Sequence, residues 1–153
     1  MAVNAIPDTY PRLTPYLCVD GAREAIAFYS EVFGATERMR MGPPDGPVGH
    51  AELQIGDGVI MISDEWPEAG VVGPKTLGGT PVSVNVYVED VDATFTTAIA
   101  AGATELHPVE DKFWGDRTGQ FLDPFGHKWS VATHIEDVPL EEIDRRAKQM
   151  FGA

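Results

Sequence analysis

Cysteine and clustered positive charge are scarce in this chain of 153 residues, and each shortage removes a class of function. Cys18 stands alone, so neither an internal disulfide nor a cysteine-based zinc site can form. Its place inside an apolar stretch predicts a buried structural thiol rather than a nucleophile. Lys and Arg together number 11 against 24 Asp and Glu, a formal net charge of −13. The densest basic stretch, Arg145, Arg146 and Lys148, is interleaved with acids, which argues against a phosphate-gripping surface and so against nucleic acid as a partner. No run approaches the ~18 apolar residues of a membrane span. Residues 1–12 lack the basic start and continuous apolar stretch of a secretory signal, so the cytoplasm is expected, with no membrane partner. Nor is there a phosphate loop, a Ser/His/Asp order or a Cys/His pair to build a reaction on.

What remains is the usage of a soluble globular protein, 43% hydrophobic and 23% charged, whose strands and helices in turn read as an α+β chain. Leu13–Val19 reads as a strand, and Ala22–Phe33 as a helix with Ala22, Ala25, Ile26, Tyr29, Val32 and Phe33 on one stripe. Val48–Ile55 and Val59–Ser63 alternate around the tight turn Gly56-Asp57-Gly58. After a Pro- and Gly-rich linker at 66–81 the order begins again, with strand Val82–Val88, helix Asp92–Ala101 and strands near Thr118–Leu122 and Lys128–Thr133. Two echoes mark the repeat: YLCVDG at 16–21 against NVYVED at 85–90, and Gly34-Ala35-Thr36-Glu37 against Gly102-Ala103-Thr104-Glu105. Each unit is read as β-α-β-β with room for one more short strand. The expected organisation is a single domain over 1–153: module one at about 13–65, module two at about 82–134, and an amphipathic C-terminal helix at about 139–151 carrying Glu141/Arg145 and Glu142/Arg146 pairs.

Parity along the strands singles out candidate site residues. In Val82–Val88 the four valines point one way and Ser83, Asn85 and Tyr87 the other, where their hydrogen-bonding groups suit a wet cleft better than a dry core. Thr14, Tyr16 and Cys18 share a face in the first strand, as do Ser130 and Ala132 in the last, and His50, Glu52 and Gln54 line one side of theirs. Two curved units facing each other would give a cleft lined by Thr14, Tyr16, Ile60, Ile62, Ser83, Asn85, Tyr87 and Ser130; the alternative is a half-exposed sheet face. The stretch Lys112-Phe113-Trp114-Gly115-Asp116-Arg117-Thr118-Gly119 reads either as a binding lip, with Trp114 and Arg117 touching the ligand, or as a turn held by an Asp116–Arg117 salt bridge.

The motifs Leu13-Thr14-Pro15-Tyr16-Leu17, Ala25-Ile26-Ala27-Phe28-Tyr29 with Phe33-Gly34-Ala35, Ile60-Met61-Ile62-Ser63-Asp64-Glu65, Phe113-Trp114-Gly115-Asp116-Arg117 and Asp123-Pro124-Phe125-Gly126-His127-Lys128-Trp129 together resemble the vicinal oxygen chelate superfamily. These are the glyoxalase, bleomycin-resistance and extradiol-dioxygenase relatives, and the likeness is greatest to the PhnB-like branch. The resemblance runs from Leu13 to about Val138. It implies paired βαβββ modules forming a curved eight-stranded sheet around a cleft, and a homodimer.

Metal-dependent members hold one divalent ion with His or Glu on four strands. The matching positions here are Thr14, Met61 or Ile62, Ser83 and Ser130, none of them an imidazole or carboxylate. No metal and no cofactor are therefore expected, and the metal-assisted chemistry does not carry over. Some PhnB-like proteins are labelled methyltransferases, but no glycine-rich S-adenosylmethionine loop follows the first strand. The expected function is metal-independent binding of a small organic molecule, sequestering an antibiotic or toxic compound. The alternative is a lyase or isomerase of the same superfamily, distinct from a metal-dependent glyoxalase I, with His50, Glu52, Asp64 or Glu65 as acid–base groups. A third reading is an interaction protein with a vestigial cleft.

Overall fold

The computed structural model describes residues 3–152; Met1, Ala2 and Ala153, the extreme ends of the expected 1–153 domain, lie outside the described residues. Contacts divide the chain into two compact units, Met1–Val82 with Pro124–His127, and Ser83–Asp123 with Lys128–Ala153.

In the first unit, strand β1 (Tyr16–Val19) leads into helix α1 (Ala22–Phe33), then strands β2 (Thr36–Met41), β3 (His50–Ile55) and β4 (Gly58–Asp64). The sheet order is β1-β4-β3-β2, with β1 parallel to β4 and the remaining pairs antiparallel. Helix α1 forms where the stripe predicts, and Ala22, Ala25, Ile26, Tyr29 and Val32 are all buried on it. Its N-terminal Gly21 has no side chain to cap with. The Asp64 carboxylate supplies the cap instead, accepting from the Gly21 and Ala22 amides at 3.1 and 2.8 Å and from Val48 at 2.6 Å. At the other end Gly34 takes a left-handed φ of 63° and donates to the Tyr29 carbonyl. A short linker follows, with a 3-10 turn at Pro67–Ala69 and the single-turn helix α2 (Pro74–Leu77).

The second unit repeats the order with β5 (Ser83–Tyr87), α3 (Val91–Ala100), β6 (Thr104–Asp111), β7 (Asp116–Leu122) and β8 (Lys128–His134), in the sheet order β5-β8-β7-β6. Two βαβββ units, eight strands divided four and four, and the terminal helix α4 (Leu140–Phe151) make the α+β fold that the sequence implies. The core of this unit holds Phe95, Phe121, Trp129 and Val131, and the Trp129 Nε1–H donates to Asp123 at 2.8 Å.

Several details depart from expectation. Strands β2 and β6 carry little apolar alternation because both are edge strands with most residues exposed, so a period-two pattern has no core to report. Leu13, read as the first residue of a strand, precedes β1 and is exposed. Val82 likewise lies outside β5 and is exposed, while Val84 and Val86 are only half-buried. On α4, Glu142 rather than Glu141 receives Arg145, and it receives Arg146 as well; these two hydrogen-bonded guanidinium groups pull its carboxyl down to about 2.

Candidate functional site

The register of the second sheet explains a polar hollow on it. Asn85 pairs with Ser130, Ser130 with Gln120, and Gln120 with His107, so one row of side chains crosses all four strands. The next row runs Tyr87, Ala132, Thr118. Because side chains alternate along a strand, Asp116, Thr118 and Gln120 share the face that Asn85 and Tyr87 share. With Lys112, Trp114 and Gly119 these residues line a cavity of about 380 Å³.

At its end lies Asp116, only 6% exposed. Its Oδ2 accepts from the Tyr87 hydroxyl at 2.7 Å and from Trp114 Nε1 at 3.1 Å, and His134 Nδ1 sits 2.8 Å from Oδ1. Burial pushes the Asp116 carboxyl up, but the hydrogen bonds from His134, Tyr87 and Trp114 outweigh it and hold the group below its usual range. The same contacts raise Tyr87, through its bond to Asp116, and His134, through Asp116 and then Asp137. Asp116 thus fixes both aromatic walls of the hollow at once. Gly115 beside it has a φ of 103°, and an added Cβ would lie 2.1 Å from the Glu136 carbonyl oxygen, so this turn admits only glycine.

Of the residues singled out from sequence, Asn85, Tyr87, Trp114 and Ser130 meet in this hollow. Arg117 does not. Neighbours on a strand face opposite ways, so Arg117 turns from Asp116 and is gripped by Asp92 and Asp111 at 2.7 and 2.8 Å. The Asp116–Arg117 bridge does not form, and Arg117 is held by its two carboxylates rather than free for a ligand. Ser83 is exposed at the start of β5, outside the lining. His107 and Gln120 were missed: His107 lies on the unrecognised β6, whereas the spacing of Asp116, Thr118 and Gln120 was a usable signal.

In the first unit the expected face divides. Ile62 is fully buried and Ile60 nearly so, which removes both from any ligand surface; Met61, half-buried, has the opposite parity. Thr14, half-buried, leans on the Pro11 carbonyl at 3.5 Å. Asp64 and Glu65 are not free acid–base groups. Asp64 holds three backbone amides, and Glu65 is lowered by its bonds to Thr76 and the Gly73 amide. His50 and Glu52 do form a pair, with Nε2 3.3 Å from Oε1. Glu52 is 4% exposed and takes the Tyr10 hydroxyl on both oxygens, at 2.8 and 2.9 Å, while the Tyr16 hydroxyl lies 2.7 Å from His50 Nδ1. Burial raises Glu52, yet these bonds and the Arg38 charge bring it below its ordinary value. Cys18 is half-buried, and burial pushes its thiol up, away from nucleophilic character. His127 binds the Cys18 carbonyl at 2.9 Å, a structural contact.

The family model described as Glyoxalase/Bleomycin resistance protein/Dioxygenase superfamily matches residues 11–131. The chain belongs to this superfamily. Among its relatives, the uncharacterized protein Mb0911c of Mycobacterium bovis is 43% identical over 94% of this chain and 93% of its own. The crystal structure of TioX from Micromonospora sp. ML1 is 33% identical, covers 82% of this chain and 99% of its own, and superposes with a TM-score of 0.63. A Bacillus cereus PhnB protein, described as a putative 3-demethylubiquinone-9 3-methyltransferase, shares the fold at 19% identity and a TM-score of 0.64, over 80% of this chain and 99% of its own.

Metal-dependent members of this superfamily need imidazole and carboxylate donors. The positions that the sequence resemblance matches to theirs offer the Thr14, Ser83 and Ser130 hydroxyls and either the Met61 thioether or the buried Ile62. That donor set does not fit a transition-metal ion. Among the described residues, no group of three or more His, Cys, Asp and Glu is placed to hold one.

Proposed function

We propose that the protein binds a small, bulky, polar organic molecule in the hollow of the second unit without a metal ion, and that it works by sequestering an antibiotic or toxic compound. The observation that carries this reading is the pair of cross-strand rows, which aim two amides, three hydroxyls and an imidazole into one cavity beside the indole of Trp114. Such a lining offers directional hydrogen bonds and a flat apolar wall, the combination that small-molecule sites use. The net charge of −13 favours cationic ligands through its long-range field.

A thermal-shift screen of cationic glycopeptides, aromatic antibiotics and small oxygenated acids supplies the ligand. Calorimetric titration of the hit into the parent, Asn85→Ala and Tyr87→Ala then tests the site, and equal affinity in all three refutes it. A lyase or isomerase is the second reading, favoured by the His50–Glu52 pair. Recovery of the ligand unchanged after prolonged incubation separates the binder from the enzyme.

We place the protein in the cytoplasm as a homodimer without nucleic-acid or membrane partners. Leu140, Met150 and Phe151 on α4 are 84%, 64% and 73% exposed, an apolar stripe that a second copy would cover. No helix among the described residues is long and apolar enough to cross a membrane.

A further inference from the structure

A second cavity, of about 510 Å³, lies wholly in the first unit and plays no part in the function proposed above. Tyr16, Pro47, Gly49, Ser63, Trp66 and Val71 line it, with Asp64 and Glu65. Its walls are mainly apolar. Both carboxylates are already satisfied by backbone amides, and no Lys or Arg is present in the lining. Trp66 is 64% exposed at its rim, braced by paired backbone hydrogen bonds with Val71 at 2.7 and 3.1 Å. A large exposed indole held in a rigid bridge is costly to leave in water and well placed to stack on a flat ligand.

The polar specificity of this cavity follows from a chain of three side chains. Glu52 is buried and ionised, so its carboxylate only accepts, and the ring nitrogen of His50 that faces it, Nε2, must carry a hydrogen. In the neutral imidazole that leaves Nδ1 bare. The Tyr16 hydroxyl, 2.7 Å away, therefore donates to Nδ1, which leaves its oxygen to serve a ligand only as an acceptor.

We infer that the first unit carries a second binding site, selective for an uncharged planar molecule that presents an O–H or N–H donor to Tyr16 while stacking on Trp66. His50 is a positioning residue there, because it sets which way the Tyr16 proton points.

2-Naphthol and 2-methylnaphthalene, equal in shape and differing in the donor, are suitable probes for titration calorimetry at neutral pH. The parent protein is expected to bind 2-naphthol about three- to tenfold more tightly, the worth of one hydrogen bond. Tyr16→Phe should abolish that preference and leave 2-methylnaphthalene unaffected. Trp66→Ala should weaken both probes. In His50→Leu the Tyr16 hydroxyl is free to rotate, so the preference narrows while 2-methylnaphthalene binds as in the parent; loss of both probes would mark His50 as merely structural and overturn its role. Absence of binding by either probe at about 1 mM, or a preference that persists in Tyr16→Phe, overturns the site. A preference that survives in Tyr16→Phe and disappears in Asn85→Ala would put the naphthol in the second unit, overturning this inference while the proposed function stands.

Discussion

Replacing Asp116 by Asn keeps the shape of the side chain and removes its charge, which makes it the sharpest test of how the second-unit hollow is held together. Asp116 is 6% exposed and accepts from the Tyr87 hydroxyl and the Trp114 indole on a single oxygen. The amide would turn its oxygen toward those two donors and its NH2 toward His134, setting donor against donor whenever the imidazole is protonated. A hydrogen bond to an ionised acceptor is worth roughly 1.5–3 kcal/mol and one to a neutral acceptor roughly 0.5–1.5, so each retained bond loses about 1 kcal/mol. Two bonds give about 2 kcal/mol, and at ~2–4 °C per kcal/mol for a chain of this length the melting temperature should fall by about 4–8 °C. Calorimetry at pH 6 reads the shift, and the indole fluorescence of a Trp66→Phe background reports Trp114 beside the constant Trp129. A melting temperature within about 1 °C of the parent would show that Asp116 does not organise the site, and the reasoning would fail with it.

Four further outcomes follow from the same contacts. Gly115→Ala sets a Cβ 2.1 Å from the Glu136 carbonyl oxygen at a φ of 103°, and should cost about 3 kcal/mol or more in urea unfolding. Asp64→Ala orphans the amides of Gly21, Ala22 and Val48 and should cost about 3–5 kcal/mol, with no change in ligand affinity at the second-unit hollow. Asp116 is lowered, so its contribution is full above the ordinary carboxylate value and fades as the pH falls; His134 is raised, so its contribution is full below about pH 6.5 and is lost as the pH rises through its folded value. The stability gap between the parent and His134→Gln should therefore peak between about pH 4 and 6.5 and shrink on both sides, which urea midpoints across the range measure. Light scattering at micromolar concentration should give twice the monomer mass, and a monomer would remove the proposed cover for α4.

The helix α1, the hairpin of β3 and β4, and the outward face of β5 were legible because each is a simple period with a clear stop. Asn85 and Tyr87 came from alternation alone. Ile62 was misplaced because strand parity flips with a one-residue shift, and the turn Gly56-Asp57-Gly58 leaves that shift open until the Met61–Glu52 register is seen. Arg117 looked like an anion grip in a loop, yet β7 starts at Asp116, and strand alternation sends it to Asp92 and Asp111 instead. His107 was invisible for the opposite reason: β6 is a wet edge strand whose side chains carry no apolar period. The Asp64 cap and the Glu52 cluster join residues 43 and 42 positions apart, separations across which no local pattern operates.

The measurement that bears most directly on the account is the response of the three tryptophan indole N–H resonances to a ligand taken from the screen. Trp114 lines the second-unit hollow, Trp129 is buried against Asp123, and Trp66 belongs to the other cavity. Binding in the hollow should shift the Trp114 indole resonance saturably, leave Trp129 in place, and disappear in Asn85→Ala. A ligand that binds tightly while the Trp114 resonance stays still would contradict the assignment of the site.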